Sequence, residues 1–229
     1  MIKLIAFDFD GVLTPFDSPS YVLRKLGEKK EADSLPLEYY SGMAAAKIPE
    51  EREEVVRRIQ NEGFDKLKLH PLSEIEKFST EIAAMNGAKE TFIALRKRGI
   101  RIAVLSATVR FIVEKALETN GMRADFIFCS EHTIENGHFG NLTYVLTPLE
   151  KRKKLAKLLS ELKISPKECI AVGDSLSEEY MFELVGKENS VAFNYKPELG
   201  ICAGNLLFPQ GSGKCDMMEI MKTVDSKRE

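Results

Sequence analysis

The chain has 229 residues, enough for one large domain or two unequal ones. Lysine and arginine total 33 against 35 aspartates and glutamates, so the net charge is −2 and the basic excess typical of nucleic-acid binding is absent. With 44 % hydrophobic and 30 % charged residues the composition is that of a globular protein, and no apolar stretch approaches the ~20 residues that span a bilayer. Four cysteines without CxxC spacing, and an amino terminus too briefly apolar for a signal peptide, favour a cytoplasmic enzyme with reduced thiols.

Five short apolar runs predict strands that are buried on both faces of a sheet. They are residues 2–9, 100–105, 126–129, 169–172 and 191–193. Helical patterns with Gly or Pro boundaries separate the runs, which predicts crossover connections and a mostly parallel sheet. The fold class is therefore α/β, with a Rossmann-like core. Within the series, Asn136-Gly137 predicts a tight type I′ turn and hence a hairpin.

One interval breaks the alternation of strands and helices. Residues 15–86 contain helix-like segments only, so we interpret them as an all-helical cap inserted after the first strand. The start and stop signals in this interval are Ser18-Pro19 with Gly27, Pro49 with Gly63, and Ser73 with Glu76 as a capping box. The α/β core then comprises residues 1–14 and 87–229.

Asp8 and Asp10 follow the first strand, in the segment Phe7-Asp8-Phe9-Asp10-Gly11. Because side chains alternate along a strand, this spacing predicts that both carboxylates lie on one side. Carboxylates at the end of a buried strand are costly unless a cation or a set of donors receives them. The alternative is an ordinary strand exit with two solvated acids. The apolar strand and the glycine turn favour a functional site.

A hydroxyl and a lysine occupy comparable positions later in the chain. Ser106 follows the second strand and precedes Ala107-Thr108, where side-chain and backbone donors can bind an anion, although a plain helix N-cap explains it equally well. Thr147-Pro148 starts another helix, and Lys151 falls on its apolar face. A lysine in a first helical turn opposes the helix dipole, so Lys151 needs an anionic partner.

Asp174 follows the strand at residues 169–172, and Glu178 stands one turn further on. A helix N-cap is again an alternative for Asp174. All four features nevertheless lie at the carboxyl ends of strands, where open α/β sheets have their ligand crevice. Together they offer acids for a hard divalent cation, and an ammonium with hydroxyl or amide donors for an anion. This combination suits phosphoryl transfer.

On these residues the sequence resembles the haloacid dehalogenase superfamily of phosphotransferases over nearly its whole length. The four motifs of that superfamily correspond to residues 8–14, Ser106, Lys151 and Gly173-Asp174. Within it, the chain is most similar to the phosphoserine phosphatase branch, through residues 85–106 and 151–182. The chain departs from that branch at Ala107-Thr108, where Gly-Gly is usual, and at Ser177-Glu178, where Asn-Asp is usual.

The resemblance implies a Mg²⁺-dependent phosphomonoester hydrolase that works through an aspartyl-phosphate. Asp8 would be the nucleophile, and Asp10 would protonate the leaving oxygen and then act as base toward water. Ser106 and Lys151 would hold the phosphoryl oxygens. The implied Mg²⁺ ligands are Asp8, the backbone carbonyl of Asp10 and Asp174, with Glu178 as a ligand or an outer partner.

The resemblance also implies contacts with the substrate. Asp17 would receive a substrate amino group, Arg58 or Arg57 a substrate carboxylate, and Ala107 and Ser177 would line the site. For the two arginines an exposed helix face is the alternative. Phosphoserine is the leading substrate candidate, and a nucleic-acid or membrane partner is not expected. The alternatives are a phosphatase or phosphotransferase for another small phosphometabolite, or a catalytically weak family member that binds or regulates.

Overall fold

The computed structural model describes residues 1–213 and 215–227. Its strands are β1 Leu4–Phe7, β2 Arg101–Val109, β3 Phe126–Glu135, β4 His138–Tyr144, β5 Cys169–Gly173, β6 Ser190–Tyr195 and β7 Asn205–Pro209. Its α-helices are α1 Ser18–Lys25, α2 Lys29–Ala45, α3 Pro49–Leu67, α4 Leu72–Thr80, α5 Ala88–Lys97, α6 Arg110–Thr119, α7 Pro148–Glu161, α8 Glu179–Val185 and α9 Ile220–Asp225. The strands form one sheet in the order β4-β3-β2-β1-β5-β6-β7, in which only β3 and β4 pair antiparallel among the described strands. The predicted α/β fold is confirmed.

The central strand β1 shows why the apolar runs fold as strands. All four of its residues are fully buried. Leu4 and Ala6 pack into the apolar cluster on one face of the sheet, whereas Ile5 and Phe7 pack into the cluster on the other face. Because both faces are covered, an uninterrupted apolar run is favoured here over an alternating one.

The strand order determines where a ligand crevice can form. The chain builds β2, β3 and β4 on one side of β1 and then returns to build β5, β6 and β7 on the other side. The crevice of an open α/β sheet lies at the carboxyl ends of the strands where the order reverses, which are β1 and β5. Phe7 pairs with Val172, so these two strands end at the same level.

The segment at residues 15–86 contains helices α1–α4, in agreement with its predicted helical character. These helices contact the rest of the molecule at several points. The backbone N–H of Ser18 donates to Asp10, the backbone N–H of Leu149 donates to Glu53, and Arg52 pairs with Glu179. The division into a cap of residues 15–86 and a core of residues 1–14 and 87–229 stays a prediction.

Three helix boundaries in this segment differ from the sequence prediction. Helix α3 continues through Gly63, which lies against α2, where an added Cβ would be at an ordinary contact distance of 3.5 Å from the Cδ1 atom of Leu35. Helix α1 is capped by Asp17, whose carboxylate accepts the backbone N–H of Ser20. Helix α4 starts before Ser73, so the predicted capping box is wrong. Glycine here marks a helix–helix contact, not a helix end.

The turn at Asn136-Gly137 is confirmed. Both residues have positive φ angles, 50° and 76°, as a type I′ turn requires, and they join β3 to β4. The edge strand β7 was not predicted from the sequence. Its residues are half-buried or exposed, and none is fully buried as in the central strands.

The four cysteines are free thiols, as expected. Cys129 and Cys169 are buried, and burial raises the pKa of both thiols, which keeps them protonated. Within residues 1–213 and 215–227, none of the helices combines the length and the apolar character that crossing a membrane requires.

The ring of Phe139 in β4 packs between the hairpin and helices α3 and α6. It is 3 % exposed, stacks on Phe64 of α3 at 5.1 Å and meets Phe111 of α6 edge-on at 5.8 Å. We expect Phe139→Ala to lower the free energy of unfolding by about 3–5 kcal/mol. The control Ile134→Ala changes a side chain that is 53 % exposed. This substitution should change the free energy of unfolding by about 0.5 kcal/mol or less. Urea unfolding measures both, and equal losses would contradict the prediction.

Candidate active site

Three carboxylates meet at the carboxyl ends of β1 and β5. Asp8 directly follows β1, Asp174 directly follows β5, and Glu178 ends the short 3-10 helix Leu176–Glu178. One oxygen of each carboxylate lies within 4.8 Å of the other two, and all three residues are buried. The parallel pairing of β1 with β5 brings Asp8 and Asp174 together. We call these three residues the carboxylate cluster.

A capping box turns Glu178 back toward the strand end. Its Oε2 atom accepts the backbone N–H of Ser175 at 3.2 Å and the hydroxyl of the same residue at 3.3 Å. Its Oε1 atom accepts the hydroxyl of Ser177. Gly173 makes room for this arrangement, because a Cβ there would collide with the Glu178 side chain. Protein donors thus contact both oxygens of Glu178 and hold its side chain in this orientation.

Lys151 bridges two members of the carboxylate cluster. Its Nζ atom is 2.9 Å from Oδ1 of Asp8 and 2.7 Å from Oε1 of Glu178, and its side chain is 2 % exposed. Helix α7 begins with Thr147 at the N-cap and Pro148 in its first turn, and it buries Lys151 on its apolar face as predicted. Burial lowers the pKa of Lys151, but the neighbouring carboxylates outweigh it and raise that pKa above its usual value. The lysine is therefore charged throughout the neutral range.

One ammonium does not balance three carboxylates. The pKa of Asp8 is raised well above its usual value, first by burial and then by Glu178, against the opposing effect of Lys151. The pKa of Asp174 is raised to about 8 by burial and by Glu178. Only Glu178 has a lowered pKa, because Lys151 outweighs the effect of its burial. A hard divalent cation bound by carboxylate oxygens would supply the missing positive charge, and these donors suit Mg²⁺.

Asp10 has hydrogen-bond partners outside the carboxylate cluster. Its Oδ1 atom accepts the backbone N–H of Ser18 at 2.8 Å and also the hydroxyl of Ser18. Its Oδ2 atom accepts the hydroxyl of Thr108 at 2.6 Å. Burial, and then the neighbouring charge of Asp17, raise the pKa of Asp10 to about 6. A carboxyl group with a pKa near neutrality is suited to both donating and accepting a proton.

A cavity of about 840 Å³, including its open mouth, joins these groups. Asp8, Asp10, Asp174 and Lys151 line it, together with side chains from α1, α2 and α3. Ser106, Ala107 and Ser177, which the sequence analysis assigned to the substrate, also line the cavity. The structure thus brings together residues from all four sequence motifs and from three helices of residues 15–86.

Ser106 lies in a different local structure from the one predicted. Strand β2 does not end there but continues to Val109, with a register shift against β3 between the two residues. The Oγ atom of Ser106 accepts the backbone N–H of Thr108 at 3.1 Å, and the carbonyl of Ala107 accepts the hydroxyl of Ser130. The irregular end of the strand, and not a helix cap, presents this segment to the cavity.

The cap residues divide into one that lies in the cavity and two that do not. Asp17 lines the cavity, and burial raises the pKa of its carboxylate. Arg58 is 45 % exposed and pairs with Glu38 at 2.8 Å and Glu62 at 3.2 Å. Arg57 is 53 % exposed and lies 3.8 Å from Glu53.

The position of these arginines is a consequence of the phase of α3. The helix turns Val56, Ile59 and Gly63 inward, at helical spacing, so Arg57 and Arg58 fall on its outer side. In this structure the expected carboxylate-binding arginine is absent from the cavity, and the exposed-face alternative describes both residues. Gln60 is the polar side chain that α3 does contribute to the cavity wall.

Several residues at the site were not identified from the sequence. Ser18 and Thr108 hold the two oxygens of Asp10, but neither belongs to a motif with a fixed distance from Asp10. Tyr39 and Tyr40 of α2 line the cavity without any sequence signal. Lys196 lines a smaller adjacent pocket, where its Nζ atom is buried 2.6 Å from the ring centre of Tyr40. Burial lowers the pKa of Lys196 to about 8.

A parallel α/β sheet with a lysine-bridged carboxylate cluster at its carboxyl edge defines an enzyme built for phosphoryl transfer. The chain belongs to the haloacid dehalogenase-like hydrolase family, whose model matches residues 2–186. The resemblance found in the sequence is therefore confirmed.

The relatives by sequence bear one name. The phosphoserine phosphatase of Methanocaldococcus jannaschii is 29 % identical over 224 residues, which are 97 % of this chain and 97 % of the relative. That of Wolinella succinogenes is 29 % identical over 210 residues, covering 86 % of this chain and 90 % of the relative. That of Archaeoglobus fulgidus is 29 % identical over 199 residues and 86 % of this chain, but the match spans 54 % of the relative's length.

Solved structures agree with these relatives. A phospho-aspartyl intermediate analogue of phosphoserine phosphatase has a TM-score of 0.78 at 27 % identity, covering 96 % of this chain and 98 % of the other. A substrate-bound phosphoserine phosphatase complex has a TM-score of 0.79 at 26 % identity, covering 97 % and 98 %. The chain is an enzyme, a phosphatase of this family.

The buried lysine gives a direct test of the site. Lys151→Met would leave Asp8 and Glu178 without their shared counter-ion, and we expect the free energy of unfolding to fall by about 3–5 kcal/mol. Lys153→Met on the same helix is the control, because Lys153 is 68 % exposed and its pair with Glu150 contributes little. Denaturant unfolding of both variants provides the comparison. A Lys151→Met protein as stable as the control would show that the bridge is not needed.

Proposed function

We propose that this phosphatase hydrolyses a small phosphomonoester through a phospho-aspartyl intermediate on Asp8, with Mg²⁺ as its cofactor. The observation that carries the proposal is that two carboxylates in one cavity have different partners. Asp8 lies in the carboxylate cluster beside Lys151, while Asp10 is held by Ser18 and Thr108 and has a pKa of about 6. One aspartate is thus placed for attack and the other for proton transfer.

In the first half-reaction, a carboxylate oxygen of Asp8 attacks the phosphorus atom of the substrate. A bond forms between that oxygen and phosphorus, and the bond between phosphorus and the alcohol oxygen breaks. Asp10 gives its proton to the departing oxygen, so that the leaving group is a neutral alcohol. The ammonium of Lys151 and the hydroxyl of Ser106, which both line the cavity, hold the phosphoryl oxygens during the transfer.

In the second half-reaction, water attacks the phosphorus atom of the phospho-aspartyl group. Asp10, now ionised, takes a proton from that water as the new oxygen–phosphorus bond forms. The bond to Asp8 breaks, which releases inorganic phosphate and regenerates both carboxyl groups. Helices α1–α3, which line the cavity opposite the carboxylate cluster, exclude bulk water from the intermediate.

Asp8, Asp174 and the backbone carbonyl of Asp10 are the proposed ligands of Mg²⁺. When bound, the ion neutralises the carboxylate cluster and stabilises negative charge on the transferring phosphoryl group. Glu178 holds Lys151 and is itself held by Ser175, which orients the site without contact to the substrate. The raised pKa values of Asp8 and Asp174 support a site that is completed by a cation.

Phosphoserine is the first substrate to test, because the relatives by sequence bear that name. Asp17, in the cavity, is the candidate partner for its amino group. The exposed positions of Arg57 and Arg58 leave no such candidate for its carboxylate on α3. The alternative left open by the sequence, another small phosphometabolite, gains support from that difference.

Asp8→Asn tests the nucleophile. We expect Mg²⁺-dependent hydrolysis of para-nitrophenyl phosphate to fall to background, because the amide does not form the phospho-aspartyl bond. Asp65→Asn is the matched control, since Asp65 is 68 % exposed and pairs with Lys68 away from the cavity. Acid-quenched reactions with radiolabelled substrate should trap label on the wild-type and control proteins only. Turnover by the folded Asp8→Asn protein would refute the assignment.

Asp10→Asn tests the proton donor through the leaving group. An alkyl alkoxide is a poor leaving group and needs a proton, whereas para-nitrophenolate departs readily without one. We therefore expect kcat/KM to fall by about 10²–10⁴-fold for an alkyl phosphate and by much less for para-nitrophenyl phosphate. The ratio of the two losses is the measurement. Equal losses for both substrates would indicate that Asp10 has only a structural role.

A further inference from the structure

The wall of the cavity outside the carboxylate cluster is mainly apolar. Helices α1, α2 and α3 and the start of α6 contribute these side chains, among them Leu23, Leu35, Ile59, Phe64, Leu67 and Ile112. All six are at most 7 % exposed. Surfaces of this kind bind the apolar part of a ligand, since contact removes both surfaces from water.

The cavity holds little positive charge for a second anionic group. Among the described residues, Lys151 is the only lysine or arginine that lines it, and its ammonium already contacts Asp8 and Glu178. Arg58 is paired with glutamates on the outer side of α3. Lys196 faces the ring of Tyr40 from the adjacent pocket.

The remaining charged groups in the cavity are acids. Asp10 and Asp17 both line it, and the charge of Asp17 contributes to the raised pKa of Asp10. A carboxylate on the organic part of a substrate would therefore lose its hydration near like charges and gain no counter-ion, which is strongly unfavourable. An uncharged apolar group meets no such penalty.

We propose that this cavity selects phosphomonoesters of aliphatic or aromatic alcohols that carry no carboxylate, in preference to carboxylate-bearing esters. The proposal rests on the function proposed above, because it takes the phosphoryl group to lie beside Asp8 and Lys151. The organic group then extends along the apolar wall made by α1, α2 and α3. Specificity is determined by the absence of a cation at that wall as much as by its apolar surface.

Binding of a matched pair of phosphonates to the wild-type protein with Mg²⁺ tests the preference without turnover. Isohexylphosphonate and γ-phosphonobutyrate have the same number of non-hydrogen atoms, but one ends in two methyl groups and the other in a carboxylate. We expect isohexylphosphonate to bind at least about tenfold more tightly by calorimetry. Equal or tighter binding of γ-phosphonobutyrate, or no binding of either compound, would overturn the proposal.

Two arginine substitutions on α3 test whether this part of the cavity wall determines the ratio of the two affinities. Gln60→Arg adds a cation to the cavity wall and should reduce or reverse the ratio of the two affinities. Asn61→Arg adds the same charge at the next residue, which is exposed, and should leave the ratio unchanged. If the folded Gln60→Arg protein keeps the wild-type ratio, the organic group does not lie at this wall. Loss of γ-phosphonobutyrate binding in Lys196→Met would also overturn the proposal, by assigning the carboxylate to Lys196.

Hydrolysis of the corresponding esters separates this proposal from the proposed function. Isohexyl phosphate and γ-phosphooxybutyrate both release alkyl alcohols, so their leaving groups are similar. We expect kcat/KM to follow the affinity ratio of the phosphonates. If neither ester is hydrolysed while the binding preference holds, the proposed function fails and the selectivity stands. If both are hydrolysed at equal kcat/KM, the function stands and the selectivity fails.

Discussion

The contact of one buried ammonium with two buried carboxylates is the interaction on which the site depends. Lys151 enters from the first turn of α7, where the helix dipole disfavours a cation, and only Asp8 and Glu178 make its burial tolerable. The same contact makes the burial of Asp8 at the end of β1 tolerable. Because these three residues belong to distant segments, the lysine also fixes α7 and the turn after β5 against the central strand.

Two aspartates only two residues apart have different environments, and this difference makes two chemical roles available. Asp8 shares its surroundings with other acids and a lysine, so its charge is best stabilised by a further cation. Asp10 is surrounded by hydroxyl and amide donors from Ser18 and Thr108, and its pKa of about 6 lies in the range useful for proton transfer. In the proposed mechanism, local partners, and not the residue type, separate the nucleophile from the acid and base.

The features that were predictable from the sequence are those that depend on local residue patterns and on the topology of the sheet. Apolar runs located the central strands, and the rule that ligands lie at strand ends grouped Asp8, Ser106, Lys151 and Asp174, which all line the cavity. Contacts between distant segments were not predictable. Thr108 reaches Asp10 across 98 positions of the chain, and the inward face of α3 depends on how that helix packs on its neighbours. A helix that turns inward at Ile59 leaves Arg58, one position earlier, in solvent.

The choice of residues that α3 turns toward the cavity determines which substrate groups the site can accept. In the proposed function, residues at the sheet edge meet the phosphoryl group, whereas α1–α3 provide most of the surface that meets the alcohol. Neighbouring positions on a helix differ by about 100°, so one residue decides whether a cation faces the substrate or the solvent. Gln60 faces the cavity and Arg58 does not, although both lie in the same turn. A change of substrate therefore needs no change in the carboxylate cluster, only a different residue at the inward positions of one helix.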